Sequence, residues 1–128
     1  MIDRLLDTHA LLWALVGDPR LPASIGEALD ADPTRFGVSD ASFWEIAVKR
    51  SVGKLVVPAD LPQVVDLLGL ARVAITREQA WAVHDLDLHH RDPFDRLLVA
   101  QARDLGLAVV TADAAFAAYD VAVDWPTG

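Results

Sequence analysis

The 128-residue chain contains no cysteine, which excludes a disulfide framework and any cysteine-ligated metal site. That absence is compatible with a reducing cytosol, and a cytoplasmic location is the expectation. No apolar run approaches the ~20 residues of a membrane-spanning helix, and Met1 leads straight into the mixed run Ile2–Asp3–Arg4–Leu5–Leu6 rather than a targeting signal. Positive charge is scarce. With 11 Lys and Arg against 19 Asp and Glu, the formal net charge is −8, which argues against a broad nucleic-acid-binding surface because such affinity comes from cations neutralising phosphates. The glycines are scattered singly, so no phosphate-cradling loop of the Walker or dinucleotide type is present. Low-complexity segments, internal repeats and long linkers are lacking too.

What is present is hydrophobic content of 53%, enough at this length for one domain over residues 1–128 that buries roughly two-thirds of its unfolded surface. Short apolar runs alternate with helical spacing along nearly the whole chain. Leu5–Leu6–Asp7 ends a strand, and Thr8 to Val16 places Leu11, Leu12, Leu15 and Val16 at helical intervals before Gly17. Pro22 to Leu29 is a second helix, Phe36 to Ser39 a strand, and Ala41 to Val52 a helix followed by a short extended link, Lys54 to Val57. Leu61 to Leu70 is helical, Val73 to Ile75 extended, and Thr76 with Glu78 opens a helix reaching Val83 and His84.

In Asp92–Pro93–Phe94–Asp95, Asp92 suits the N-cap and Pro93 the first position of a helix that runs to about Asp104, with Gly106 resetting the chain. Leu107 to Thr111 is a buried strand, Asp113 to Tyr119 a short helix, and Val121 to Val123 a last strand. Such alternation predicts an α/β fold, a parallel sheet sandwiched between helices in three layers.

Asp7, Glu45, Asp95 and Asp113 each fall where an apolar run gives way to a helical pattern. Ligands of parallel sheets bind beyond the strand ends, so these acids suggest one carboxylate pocket. Close carboxylates repel, and hard cations prefer oxygen, so Mg²⁺ or Mn²⁺ is the cofactor this pattern calls for. Around them, Thr8, Ser39, Asp92 and Thr111 are candidate supporting residues, although capping alone accounts for Thr8, Ser39 and Asp92. Lys49, Arg50 and Lys54 cluster, as do Arg91 and Arg96. Lys49, Arg91 and Arg96 are candidates for lining the approach of an anionic substrate, with ordinary solvated cations the alternative. His89 and His90 are adjacent and point apart if extended, and no His pair completes a zinc-like spacing, so the histidines read as loop polarity. Trp13, Trp44 and Trp81 suit packing in the core or at a partner interface better than stacking on bases.

The segments Leu5–Leu6–Asp7–Thr8–His9–Ala10–Leu11–Leu12–Trp13, Val38–Ser39–Asp40–Ala41–Ser42–Phe43–Trp44–Glu45–Ile46–Ala47–Val48–Lys49, Asp92–Pro93–Phe94–Asp95–Arg96 and Val110–Thr111–Ala112–Asp113 resemble, in the same order, the PIN-domain nucleases, and within them the VapC-type toxins of toxin–antitoxin pairs. The resemblance implies a metal-dependent endoribonuclease whose metal-binding acids are Asp7, Glu45, Asp95 and Asp113. It also implies inhibition by a cognate antitoxin and a tendency to form homodimers, and Trp13 on the first helix is the candidate anchor for that partner. Two other readings stay in view. One is an aspartate-nucleophile phosphatase built on Asp7, although His9 stands where that class places a second aspartate. The other is a catalytically silent acidic module for a basic partner.

Overall fold

The computed structural model describes residues 1–126. Its centre is a sheet of four parallel strands, β1 (Arg4–Leu6), β2 (Phe36–Ser39), β3 (Ala71–Val73) and β4 (Ala108–Val110), in the order β3-β2-β1-β4. Six α-helices flank it: α1 (Thr8–Val16), α2 (Ala23–Ala31), α3 (Asp40–Ser51), α4 (Leu61–Leu67), α5 (Arg77–Ala82) and α6 (Pro93–Leu105). Side chains alternate across each strand, so Leu5 and Val109 enter one core while Leu6 and Val110 enter the other. The first core holds Leu97, Leu98 and Ala102 of α6. The second holds Leu11 of α1, Ile25 and Leu29 of α2, Ile46 of α3 and Val65 of α4. Two apolar faces need two covering layers, and this is the three-layer α/β/α sandwich expected from the sequence.

Chain order fixes where a site can form. From β1 the chain winds outward through β2 to β3, then returns across the sheet to place β4 on the other side of β1. The reversal opens a crevice beyond the carboxyl ends of β1 and β4, the position where open parallel sheets bind ligands. Asp7 directly follows β1, and Thr111 directly follows β4.

Helix ends follow local chemistry. The Asp92 carboxylate accepts the amide hydrogens of Phe94 and Asp95 at 2.8 and 3.2 Å and Pro93 opens α6, whose far end closes on Gly106 at φ +67°. Thr76 and Gln79 exchange side chain-to-amide hydrogen bonds at the start of α5, a capping box.

Several expected boundaries move. β3 lies at 71–73 rather than 73–75, because Gly37, Val38 and Ser39 of β2 pair with Ala71, Arg72 and Val73. Helix α4 stops at Leu67 rather than Leu70, and the last turn of the helix expected through His84 tightens into a 3₁₀ segment, Val83–Asp85. Residues 54–57 pair with no strand, the expected helix at 113–119 is a 3₁₀ turn over Ala114–Ala118, and Val121 to Val123 contributes only a bridge between Val123 and Val109.

Candidate metal centre

Asp7 leaves β1 with its amide donating to the Val110 carbonyl at 3.0 Å, which ties the end of β1 to the end of β4. Its carboxylate then caps α1, accepting the Ala10 amide hydrogen at 2.7 Å. Asp7 thus caps a helix while only 5% exposed in the crevice. Burial pushes its carboxyl above the usual range, opposed by the hydroxyl of Thr111, the Ala10 amide and His9, and reinforced by Glu45.

Glu45 reaches the same crevice from α3 and is 3% exposed. The Thr8 hydroxyl donates to its Oε1 at 2.6 Å, and Lys49, one turn on, places Nζ 2.6 Å from Oε2. Ser42 Oγ lies 3.1 Å from the Thr8 hydroxyl, so Thr8 joins α1 to α3 through polar contacts. Lys49 is raised above its ordinary value chiefly by its hydrogen bond to Glu45, with smaller contributions from Asp92 and Asp95. It therefore sits in the field of the whole acid group.

Asp95 is the third residue of α6 and carries the largest perturbation. Burial, then the Asp92 charge, pushes its carboxyl up to about 7; Glu45 and Asp7 add to the rise, and His90 opposes it. Asp113 behaves in the opposite way. Burial pushes its carboxyl up, but the Ala115 amide, donating to Oδ1 at 2.9 Å, and the contact with His90 outweigh burial and leave it below the usual range. The Asp113 amide in turn donates to Thr111 Oγ1 at 3.0 Å, so Thr111 touches both Asp7 and Asp113.

Sequence reasoning set His90 aside, and the structure corrects that reading. His90 Nε2 stands 2.8 Å from Asp113 Oδ2 and 3.1 Å from Asp95 Oδ2. His90, Asp95 and Asp113 each offer a ligand-type atom within 4.8 Å of the others, with Asp7 and Glu45 more deeply buried beside them. The two adjacent histidines do point apart: His89 packs edge-on against Tyr119, with ring centroids 5.0 Å apart. Only His90 enters the crevice. Ser42 is the other residue that sequence reasoning passed over, since nothing about a serine in the first turn of a helix signals a contact across to Thr8.

Other candidates lie elsewhere or serve differently. Arg96 donates to the main-chain carbonyls of Val83, Leu86, Asp87 and His90, clamping the 83–90 segment; its guanidinium is committed to the fold rather than free for a substrate. Ser39 accepts the Ala41 amide hydrogen and donates to Gln101, a capping and bracing role away from the acids. Arg91 is exposed. Trp13 is half-buried against His9 and Trp125, under the guanidinium of Arg20. The exposed Trp44 meets Phe94 edge-to-face at 4.8 Å, and Trp81 is exposed on α5.

This donor set fits a hard divalent cation. Asp7, Glu45, Asp95 and Asp113 supply oxygen, and ligand-type atoms of Asp95 and Asp113 lie within 4.8 Å of each other. Comparison with known proteins bears on what such a site belongs to. The sequence pattern of the PIN domain matches residues 4–122. This chain belongs to the PIN domain family. Among solved structures, this PIN domain is similar to the DNA-bound VapBC of Salmonella typhimurium, with a TM-score of 0.72 and 17% identity over 97% of this chain and 98% of that one. It is also similar to FitAcB of Neisseria gonorrhoeae, with a TM-score of 0.68 and 22% identity over 94% and 95% of the two chains. A toxin–antitoxin complex from Klebsiella pneumoniae matches with a TM-score of 0.66 and 18% identity, over 95% and 97%. At such identities the likeness is one of fold. No curated protein matches the chain by sequence.

Proposed function

We propose that this PIN domain is a Mg²⁺- or Mn²⁺-dependent endoribonuclease and the toxin of a toxin–antitoxin pair, acting in the cytoplasm. The observation that carries the proposal is the convergence of acids in the crevice, where ligand-type atoms of Asp95 and Asp113 lie within 4.8 Å of each other and the buried Asp7 and Glu45 are close enough to help raise the Asp95 carboxyl. Such a group of acids is what a divalent cation stabilises and what little else in this chain explains. In the proposal Asp7, Glu45, Asp95 and Asp113 hold the ion. Bound there, it would supply Lewis acidity toward a phosphodiester and lower the pKa of a water, and in-line attack by water would leave 5′-phosphate and 3′-hydroxyl ends.

The chain's own residues do the positioning. Thr8 holds one oxygen of Glu45, Lys49 the other, and Thr111 braces Asp7 against Asp113. Asp92, by capping α6, fixes the backbone from which Asp95 projects. Arg91, which is exposed, is the proposed cation for a phosphate backbone, while Lys49 is paired with Glu45. The aspartate-nucleophile reading is disfavoured because His9 stands where that class places a second aspartate and Asp7 Oδ1 already accepts the Ala10 amide hydrogen.

The fold neighbours that are toxin–antitoxin complexes support an antitoxin as partner. Trp13 on α1 remains the proposed anchor, but the open groove of about 540 Å³ beside it, lined by Ala14, Leu15, Leu21 and Leu70, lies at the carboxyl end of α1. A nine-residue helix spans about 13 Å, so this groove is a helix length from the acids rather than next to them. Self-association is part of the same reading, supported by the exposed stripe Trp44, Val48 and Val52 along α3.

The test is to incubate the purified protein with structured RNA, single-stranded DNA and a phosphate monoester, each with Mg²⁺, Mn²⁺ or chelator. RNA alone is cleaved, only with metal. Asp95→Asn abolishes cleavage, whereas Asp92→Asn, which still caps α6, lowers it less. Turnover of the monoester with phosphate trapped on Asp7 would replace the proposal with the phosphatase reading. Cellular effects that survive alanine replacement of all four acids would leave a binding module.

A further inference from the structure

The orientation of the His90 ring carries a consequence for how a cation reaches the acids. The main-chain N–H of Asp92 donates to His90 Nδ1 at 3.1 Å. A peptide N–H has nothing to offer but its hydrogen, so Nδ1 is the bare, accepting nitrogen and the ring proton is on Nε2. That Nε2–H donates to Asp113 Oδ2 at 2.8 Å, and Nε2 also lies 3.1 Å from Asp95 Oδ2. A histidine that binds metal has the reverse polarity: the coordinating nitrogen is bare and the other donates to an oxygen. As held here, His90 is no ligand; it brings partial positive charge to the place where an ion would bridge Asp95 and Asp113.

The rest of the residue is fastened. The His90 amide donates to the Tyr119 hydroxyl at 2.9 Å, its carbonyl accepts from Arg96 at 3.4 Å, and the ring lies edge-on to Phe116 with centroids 6.1 Å apart. The side-chain torsions are therefore the part that can change while the loop stays in place.

We propose that His90 is a gate on the metal site: its Nε2–H, bonded to Asp113 and set against Asp95, occupies the space between those acids, which would hold a divalent cation only after the ring has swung out. The proposal rests on the reading that the acids bind a divalent ion. Affinity is then reduced by the fraction of molecules with the ring in place. Removing the ring should tighten binding, the reverse of what loss of a ligand does.

Titration calorimetry with Mn²⁺ at pH 8 on the wild-type protein and on His90→Ala decides between them. The expected result is binding about ten-fold tighter in the variant, equivalent to about 1.4 kcal/mol. Equal or weaker binding by the variant overturns the gate while leaving metal binding intact, and absence of Mn²⁺ binding by both proteins overturns the gate together with the metal reading. If His90→Ala does not fold, the ring nitrogens of the wild type settle the matter by ¹⁵N NMR. The gate keeps the proton on Nε2 before and after Mg²⁺ addition, whereas transfer of that proton to Nδ1 on adding Mg²⁺ overturns it.

Discussion

At the scale of single residues, Asp7 was legible because it ends a buried strand, whereas Glu45 and Asp95 lie within α3 and α6 and were singled out chiefly by the family resemblance. His90 was not legible, because its meaning comes from the Asp92 amide and from two carboxylates 5 and 23 positions away, none of which spacing reveals. The electrostatics carry a prediction for the metal-free protein. The Asp95 carboxyl has a value of about 7 in the folded state against an ordinary 3.8, so the folded state binds this proton more tightly than the unfolded chain. Stability contributed by that proton is fully present below about pH 4 and is lost as pH rises through about 7. Asp113, lowered, has the opposite sign, and its contribution is lost only as pH falls below the usual carboxylate range. In chelator, Asp95→Asn should therefore melt higher than wild type at pH 8 and show a flatter profile between pH 5 and pH 8. The gain should be on the order of 1–2 kcal/mol, a few degrees at this chain length, once screening of a partly exposed group is allowed for. Calorimetric melting across that range checks it, and a wild-type midpoint that rises from pH 5 to pH 8 in chelator contradicts it.

Among the elements, helix starts were the most legible feature. Asp92–Pro93 and Thr76 carry their own caps, and caps are local chemistry. Strand ends were less so. Leu70 to Ile75 offers several extended registers, and the one adopted is chosen by β2, whose Gly37 sits against Ala71. That glycine is a position of close approach, since a Cβ there would stand 2.6 Å from Val73 Cγ2 and 3.2 Å from Ile2 Cγ2. Valine is stiff about χ1 and cannot fold away cheaply. Gly37→Ala should lower stability by about 1–3 kcal/mol by overpacking, read as a fall in the urea midpoint, and Val73→Ala in the same chain should recover part of the loss. A midpoint unchanged by Gly37→Ala would mean that β2 and β3 have more freedom than their register implies. The 121–123 segment is instructive in the same way: Val121 to Val123 has strand composition, yet its pairing is a single bridge at Val109, made by main-chain hydrogen bonds of Val109 with Ala122 and Asp124 on either side of Val123.

For the whole molecule, with a net charge of −8 and acids gathered at one crevice, a divalent ion held there as proposed would be coupled to stability. Mn²⁺ at 100 times its dissociation constant should add about 2.7 kcal/mol to the folded state and raise the melting temperature, and chelator should reverse the rise. Asp7→Asn should shrink the shift. A melting curve indifferent to both metal and Asp7→Asn would show that the acids do not act together. The sheet order has one more consequence, for a chain still being made. β1 lies between β2 and β4, and it cannot acquire its second neighbour until residues 108–110 exist. Asp7 leaves the ribosome early, but Thr111 and Asp113, which complete its surroundings, emerge about a hundred residues later. At the usual ~5–20 residues per second of synthesis, the nascent protein spends seconds holding half of its carboxylates with no crevice to place them in. If the proposed cleavage needs all four acids, it cannot begin before Asp113 has emerged and β4 has paired with β1.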